Sequence, residues 1–194
     1  MRFDQCTNGN IFMHGWTKEQ AVMSDHDKAI LQELAKKMAA YAARPEEEAR
    51  IQLWRDHNDL KDTRPLIYVD LENGWNELLP MEFTCQCEGE MAQEWEMWLH
   101  KELIYAEKIK CDKPIEAKFY IPYQAHNTMW GVEKKVIGDV KGGEAITWES
   151  PITDDMMEDD FDVKELIKIP QITIDWEATE AYTAIAHDVF DGIL

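Results

Sequence analysis

Apolar residues fall along this chain in helical stripes, separated by polar crossings that proline or glycine marks. The first clear stripe runs from about Asp27 to Ala43, where Ile30, Leu31, Leu34, Ala35, Met38 and Ala42 recur at three- and four-residue steps. Ser24 or Asp25 is placed to cap it, and Arg44-Pro45 ends it. Pro45 suits the first turn of a second helix, with Glu46 to Glu48 at its positive end and Ile51, Leu53 and Trp54 as contacts before Asn58-Asp59. A long helix is expected from about Glu90 to Ile109, its inward stripe being Met91, Trp95, Trp98, Leu99, Leu103 and Ala106, with Glu102 an acidic exception. Asp175 as N-cap and Glu177 in the first turn announce a final helix over about Trp176 to Phe190, burying Tyr182, Ile185, Ala186 and Val189.

Between these helices, Leu66-Ile67-Tyr68-Val69 reads as a short buried strand opened by Arg64-Pro65 and ended by Asp70. Trp75 to Leu79 predicts one helical turn closed by Pro80. Ala117 to Ile121 alternates weakly and predicts a second strand ended by Pro122, leaving His126, Asn127 and Trp130-Gly131 in a loop beyond it. Val132 to Val140 predicts a hairpin arm that turns at Lys141-Gly142-Gly143 toward Ala145 to Trp148. An acidic loop over Asp154 to Asp162 and a short helix near Val163 to Ile167 follow. Residues 1–26 read as a mobile leader in which Phe12 and Trp16 offer local packing. Asp191-Gly192-Ile193-Leu194 resembles a helix-capping glycine and the opening of another strand, so an incomplete fold is expected. Helices alternating with short buried strands predict an α/β architecture.

Composition changes the picture in its partners more than in its fold. At 194 residues with 45% hydrophobic and 30% charged residues, the chain is expected to form one ordinary domain with a real core. Its net charge of −19 disfavours nucleic acid and anionic membranes, whose binding needs basic patches. No apolar run approaches a bilayer span and no secretion signal opens the chain, so a cytoplasmic protein is expected. Cys6, Cys85, Cys87 and Cys111 are too few and too uneven for a disulfide scaffold. Cys85-Gln86-Cys87 is tighter than the usual zinc spacing and has no histidine or second cysteine pair nearby, so ordinary cysteines and no metal are expected. The acidic loop lacks the glycine and ligand alternation of an EF-hand and reads as a solvated face. Glycine-rich nucleotide loops and familiar hydrolase motifs are absent.

At Trp54-Arg55, His57-Asn58-Asp59-Leu60, Thr63-Arg64-Pro65 and Leu66 to Asp70, the chain resembles the amino-terminal part of uroporphyrinogen decarboxylase-like proteins, most of all a divergent bacterial branch. The spacing to Trp75-Asn76-Glu77-Leu78-Leu79, then Trp98-Leu99, Ile104-Tyr105 and Ile169-Pro170 before Asp175 and Thr179, extends the resemblance over roughly residues 28–194. It implies the amino-terminal part of a (β/α)8 TIM-type barrel over 27–194, with a helical amino-terminal extension and a cleft at the carboxyl ends of its strands. True decarboxylases of the family carry an arginine-rich motif soon after the first strand, whereas the corresponding Asp70-Leu71-Glu72-Asn73-Gly74-Trp75 is acidic. Recognition of an eight-carboxylate porphyrinogen needs such arginines. The resemblance therefore implies a corrinoid-linked methyl transfer or another small-molecule reaction.

The family's methyltransferases bind zinc through a His-x-Cys motif and a distant cysteine, and nothing in this chain matches those ligands. Zinc and a corrinoid protein partner are thus implied for a full-length relative only. Barrel geometry makes Asp70 and His126 the catalytic candidates and Glu72, Glu116, Asn127 and Trp130 the substrate-binding candidates. Their alternative roles are capping and surface hydrogen bonding. A chain without catalysis of its own, pairing with a second copy or with the other half of a barrel, is the competing expectation.

Overall fold

The computed structural model describes residues 13–71, 74–80, 84–131, 135–137, 147–150, 153 and 163–194. In chain order, β1 spans Met13–His14, α1 Asp25–Ala42, α2 Pro45–Asn58, α3 Trp75–Leu78 and α4 Glu90–Glu107. β2 spans Tyr123–Asn127, β3 Lys135–Ile137, β4 Thr147–Glu149, α5 Val163–Leu166, β5 Ile172–Ile174 and α6 Trp176–Phe190.

The helices begin where side chains satisfy their first amides. Ser24 Oγ accepts the Asp27 amide at 3.0 Å, and Asp175 Oδ1 accepts the Ala178 amide at 3.0 Å. Pro45 occupies the first position of α2, with Glu46, Glu47 and Glu48 in its first turn. At the end of α6, Gly192 adopts a φ of +79°, and the amides of Ile193 and Leu194 return to the Phe190 carbonyl at 2.9 and 3.1 Å. The last residues thus turn back on the helix instead of extending as a strand.

The core lies between α1 and α4. Leu31, Ala35 and Met38 from α1 and Ala92 and Leu99 from α4 are enclosed completely. Each large side chain buried there contributes roughly 1.5–3 kcal/mol. Phe119 is wedged among Trp95, Trp98 and Phe190, with ring centroids 5.0, 4.9 and 4.3 Å away. It ties the segment after α4 to both α4 and α6.

The strands form a three-stranded sheet in the order β1-β2-β5 and a separate two-stranded hairpin, β3-β4. β1 runs parallel to β2, and β5 runs antiparallel to it with Ala125 opposite Ile174 and Asn127 opposite Ile172. β3 and β4 fall within the two expected hairpin arms and pair antiparallel, with Val136 opposite Trp148. Its expected turn at 141–143 and the acidic stretch 154–162 lie outside the described residues.

The expected strands at 66–69 and 117–121 require correction. Among the described residues Leu66 to Val69 has no ladder partner, and Ile67 and Tyr68 are 61% and 54% exposed. It is held instead by isolated contacts: Ile67 donates its amide to Asp112 Oδ2 at 2.8 Å and accepts the Asp112 amide at 2.7 Å, and the Val69 carbonyl accepts the Tyr105 hydroxyl at 2.6 Å. Ala117 to Ile121 likewise makes no ladder with any described residue, and the strand begins after Pro122. Gln124 organises that strand from within. Buried to 1% exposure, it donates its amide to Thr179 Oγ1, accepts the Trp16 amide on its side-chain oxygen, and accepts the Asp175 amide on its carbonyl. Trp16, in the expected leader, is therefore part of the core at 4% exposure. Among the described residues no helix is long and apolar enough to cross a membrane.

Candidate functional site

Three carboxylates fix the segment from Asp112 to Tyr120 against α2, α4 and the stretch from Arg64 to Ile67. Asp112 takes two bonds from the Arg64 guanidinium, at 2.5 and 2.9 Å, besides the Ile67 amide. Arg64 first, and then that amide, hold its carboxyl well below the usual carboxylate range. Glu47, buried near the start of α2, accepts the Ile115 amide at 2.8 Å and Arg50 at 2.5 Å. Glu102, the acidic exception in the α4 stripe, pairs with Lys113, and both side chains are largely enclosed, at 13% and 17% exposure. The Lys113 ammonium also stands over the Tyr105 ring, 4.7 Å from its centroid.

Held this way, the segment forms a cleft of about 290 Å³ with α4, lined by Trp98, Glu102, Lys113, Pro114, Glu116, Lys118 and Tyr120. Glu116 at its mouth accepts Lys118 at 2.5 Å, in a pair open to solvent. Two carboxylates and two ammonium groups thus share one small space with an indole and a proline. Such a cleft presents both signs of charge against an apolar wall and suits a small polar molecule.

The other candidates stand apart from this cleft. Asp70 is exposed and accepts the Trp75 indole N–H at 3.3 Å. His126 and Asn127 belong to β2 and not to a loop, with His126 exposed opposite Thr173. Asn127 Oδ1 caps the following turn by accepting the Met129 amide at 2.9 Å, and the Trp130 carbonyl accepts the Lys168 amide at 2.8 Å. His126, Asn127 and Trp130 are therefore neighbours along one strand and turn, while Asp70 is held on a different segment. Glu72 lies outside the described residues. Among the described sequence candidates, Glu116 alone lines the cleft. The signal for its neighbours was Glu102, an acid at a core position of a helix; Lys113, Lys118 and Trp98 carry no such mark.

A second polar centre joins α1 to α4. Four consecutive amides are held by two buried carboxylates: Gln86 and Cys87 donate to Glu96, and Glu88 and Gly89 donate to Asp27, all at 2.8–3.1 Å. Burial raises the pKa of both acids, but the donors outweigh it, and each ends below its ordinary value. Asp27 borders a cleft of about 350 Å³ with Trp16, Ser24, Gly89 and Met91, where its carboxylate already satisfies the amides of Glu88 and Gly89 just ahead of α4. The thiols beside it are poor nucleophiles. Burial, reinforced by Glu96, pushes Cys85 up to about 12 and Cys87 still higher. Among the described residues no group of three or more His, Cys, Asp and Glu side chains is arranged to hold a metal ion. Comparison of the chain with protein-family models, with curated proteins and with solved structures gives no match.

Proposed function

We propose that this chain is a uroporphyrinogen decarboxylase-like protein whose residue order follows the amino-terminal part of that family. Its chemistry is corrinoid-linked methyl transfer or another reaction of a small molecule, and not porphyrin decarboxylation. The family assignment rests on the order of residues from Trp54 through Asp70 to Thr179. The cleft at Glu116 supports the choice of substrate size. At about 290 Å³ it is far smaller than a tetrapyrrole, and each of its lysines is already paired with a glutamate. An eight-carboxylate ligand would meet carboxylates there in place of the cationic cluster it requires.

Equilibrium dialysis of the full chain against uroporphyrin and, separately, hydroxocobalamin tests this reading. Uroporphyrin is expected to distribute equally across the membrane, and saturable retention of it would overturn the proposal. Retained hydroxocobalamin supports the corrinoid arm; equal distribution removes that arm and leaves the small-molecule reaction.

A second reading is favoured by one observation. Tyr123, Ile172 and Trp176 are 49–58% exposed beside the β2-β5 pair, where Tyr123 and Trp176 meet edge to face at 5.7 Å. An apolar surface at a sheet edge suits a non-catalytic piece that works by associating with another chain. Light scattering on the eluting protein distinguishes the two. This reading expects a dimer or larger species that Tyr123→Ser with Trp176→Ser returns to a monomer, and a parent chain that is monomeric at all concentrations removes it.

A further inference from the structure

We infer that the Glu116 cleft takes a small zwitterion, a molecule with an alkylated ammonium at one end and a carboxylate at the other; this rests on the small-molecule reading above. The charged lining is balanced, with Glu102 and Glu116 against Lys113 and Lys118, so a ligand of either net charge would leave one sign unanswered. The two pairs differ in what they can release. Glu102–Lys113 is enclosed, and Lys113 has a second anchor on the Tyr105 ring, so this pair stays closed and forms the floor. Glu116–Lys118 has side chains 33% and 57% exposed, the solvent-screened kind of ion pair that exchanges partners at little cost. A ligand ammonium can take Glu116 and a ligand carboxylate can take Lys118, so that both residues keep an opposite charge.

Half-buried Trp98 lines the same cleft and is fixed edge-on by Phe119, ring centroids 4.9 Å apart at 83°. An indole beside a carboxylate favours a cation that carries methyl groups, which gain from the ring face and lose little hydration on entering. The cleft volume of about 290 Å³ suits a ligand of amino-acid size.

Calorimetric titration of the full chain with glycine betaine, choline and propionate tests the inference. Glycine betaine is expected to bind saturably, with choline and propionate each at least tenfold weaker. E116Q and K118M are each expected to weaken glycine betaine at least tenfold, with far-UV circular dichroism and melting unchanged because both side chains lie at the surface. Choline binding as tightly as glycine betaine would overturn the zwitterion in favour of a simple cation. Glycine betaine binding that survives both substitutions, or that is absent from the folded parent chain, overturns the inference entirely. Hydroxocobalamin retention is read separately: retained corrinoid without glycine betaine binding removes this inference alone, while the converse removes the corrinoid arm alone.

Discussion

Glu96 lies within α4, yet its carboxylate is closed off from solvent and carries the amides of Gln86 and Cys87. A buried carboxylate is tolerable only when its oxygens are filled by donors, and here the filling donors are backbone groups that would otherwise be orphaned. The His100 imidazole stands 3.5 Å away on the next turn and adds a further favourable charge partner when protonated. Removing the acid strands two backbone donors at once, the Cys87 amide among them fully buried. Glu96→Ala is therefore expected to lower the free energy of unfolding by about 3 kcal/mol, and Glu96→Gln by roughly half that, since an amide oxygen still accepts. Urea unfolding followed by tryptophan fluorescence reads both. A loss below about 1 kcal/mol for the alanine variant would show that the loop finds other acceptors.

The same four amides make the 86–89 loop an element whose security depends on pH, because Glu96 and Asp27 together hold every one of them. Both carboxyls are depressed in the folded state. Their contribution is therefore fully present above the unfolded carboxylate range near about 4, and is lost as pH falls through the folded values. The contribution of these two carboxylates should be constant above about pH 5 and decline below about pH 4. In a D27N/E96Q double variant the decline should be shallower; an unchanged slope would place the acid sensitivity elsewhere. This element also shows how far local pattern reaches. Helix α1, α2 and α6 announce themselves through Ser24, Pro45 and Asp175, whose capping chemistry acts within a few residues. Leu66 to Val69 has the composition of a buried strand, but its contacts come from Asp112 and Tyr105, residues distant in sequence, so no local signal reveals that the ladder is missing. At the cleft, Glu116 was visible as a polar group near a predicted strand end. Lys113, Lys118 and Trp98 join it only because Glu47 and Phe119 pin the intervening segment to other helices.

For the whole molecule, charge sets a condition that no single contact reveals. The chain carries 39 acidic against 20 basic side chains, a net charge of −19. Its exposed ion pairs, Lys18–Glu177, Lys36–Glu33 and Lys28–Asp188 among them, each contribute little and weaken in salt. The unbalanced acids repel one another over longer distances, and at 0.1 M salt a screening length of about 10 Å removes most of that repulsion. Two salt effects thus oppose each other, and the net charge decides the sign: relief of repulsion exceeds the loss of a few surface pairs. Raising NaCl from low to moderate concentration is expected to stabilise the fold by on the order of 1 kcal/mol, which for a chain of this size raises the melting temperature by about 2–4 °C. A melting temperature that falls with salt would mean that the surface pairs act as a network and outweigh the excess of acid. In that case the Glu116–Lys118 pair at the cleft mouth would also hold more firmly than an exchangeable gate requires, so the thermal melt bears on the ligand-binding proposal as well as on stability.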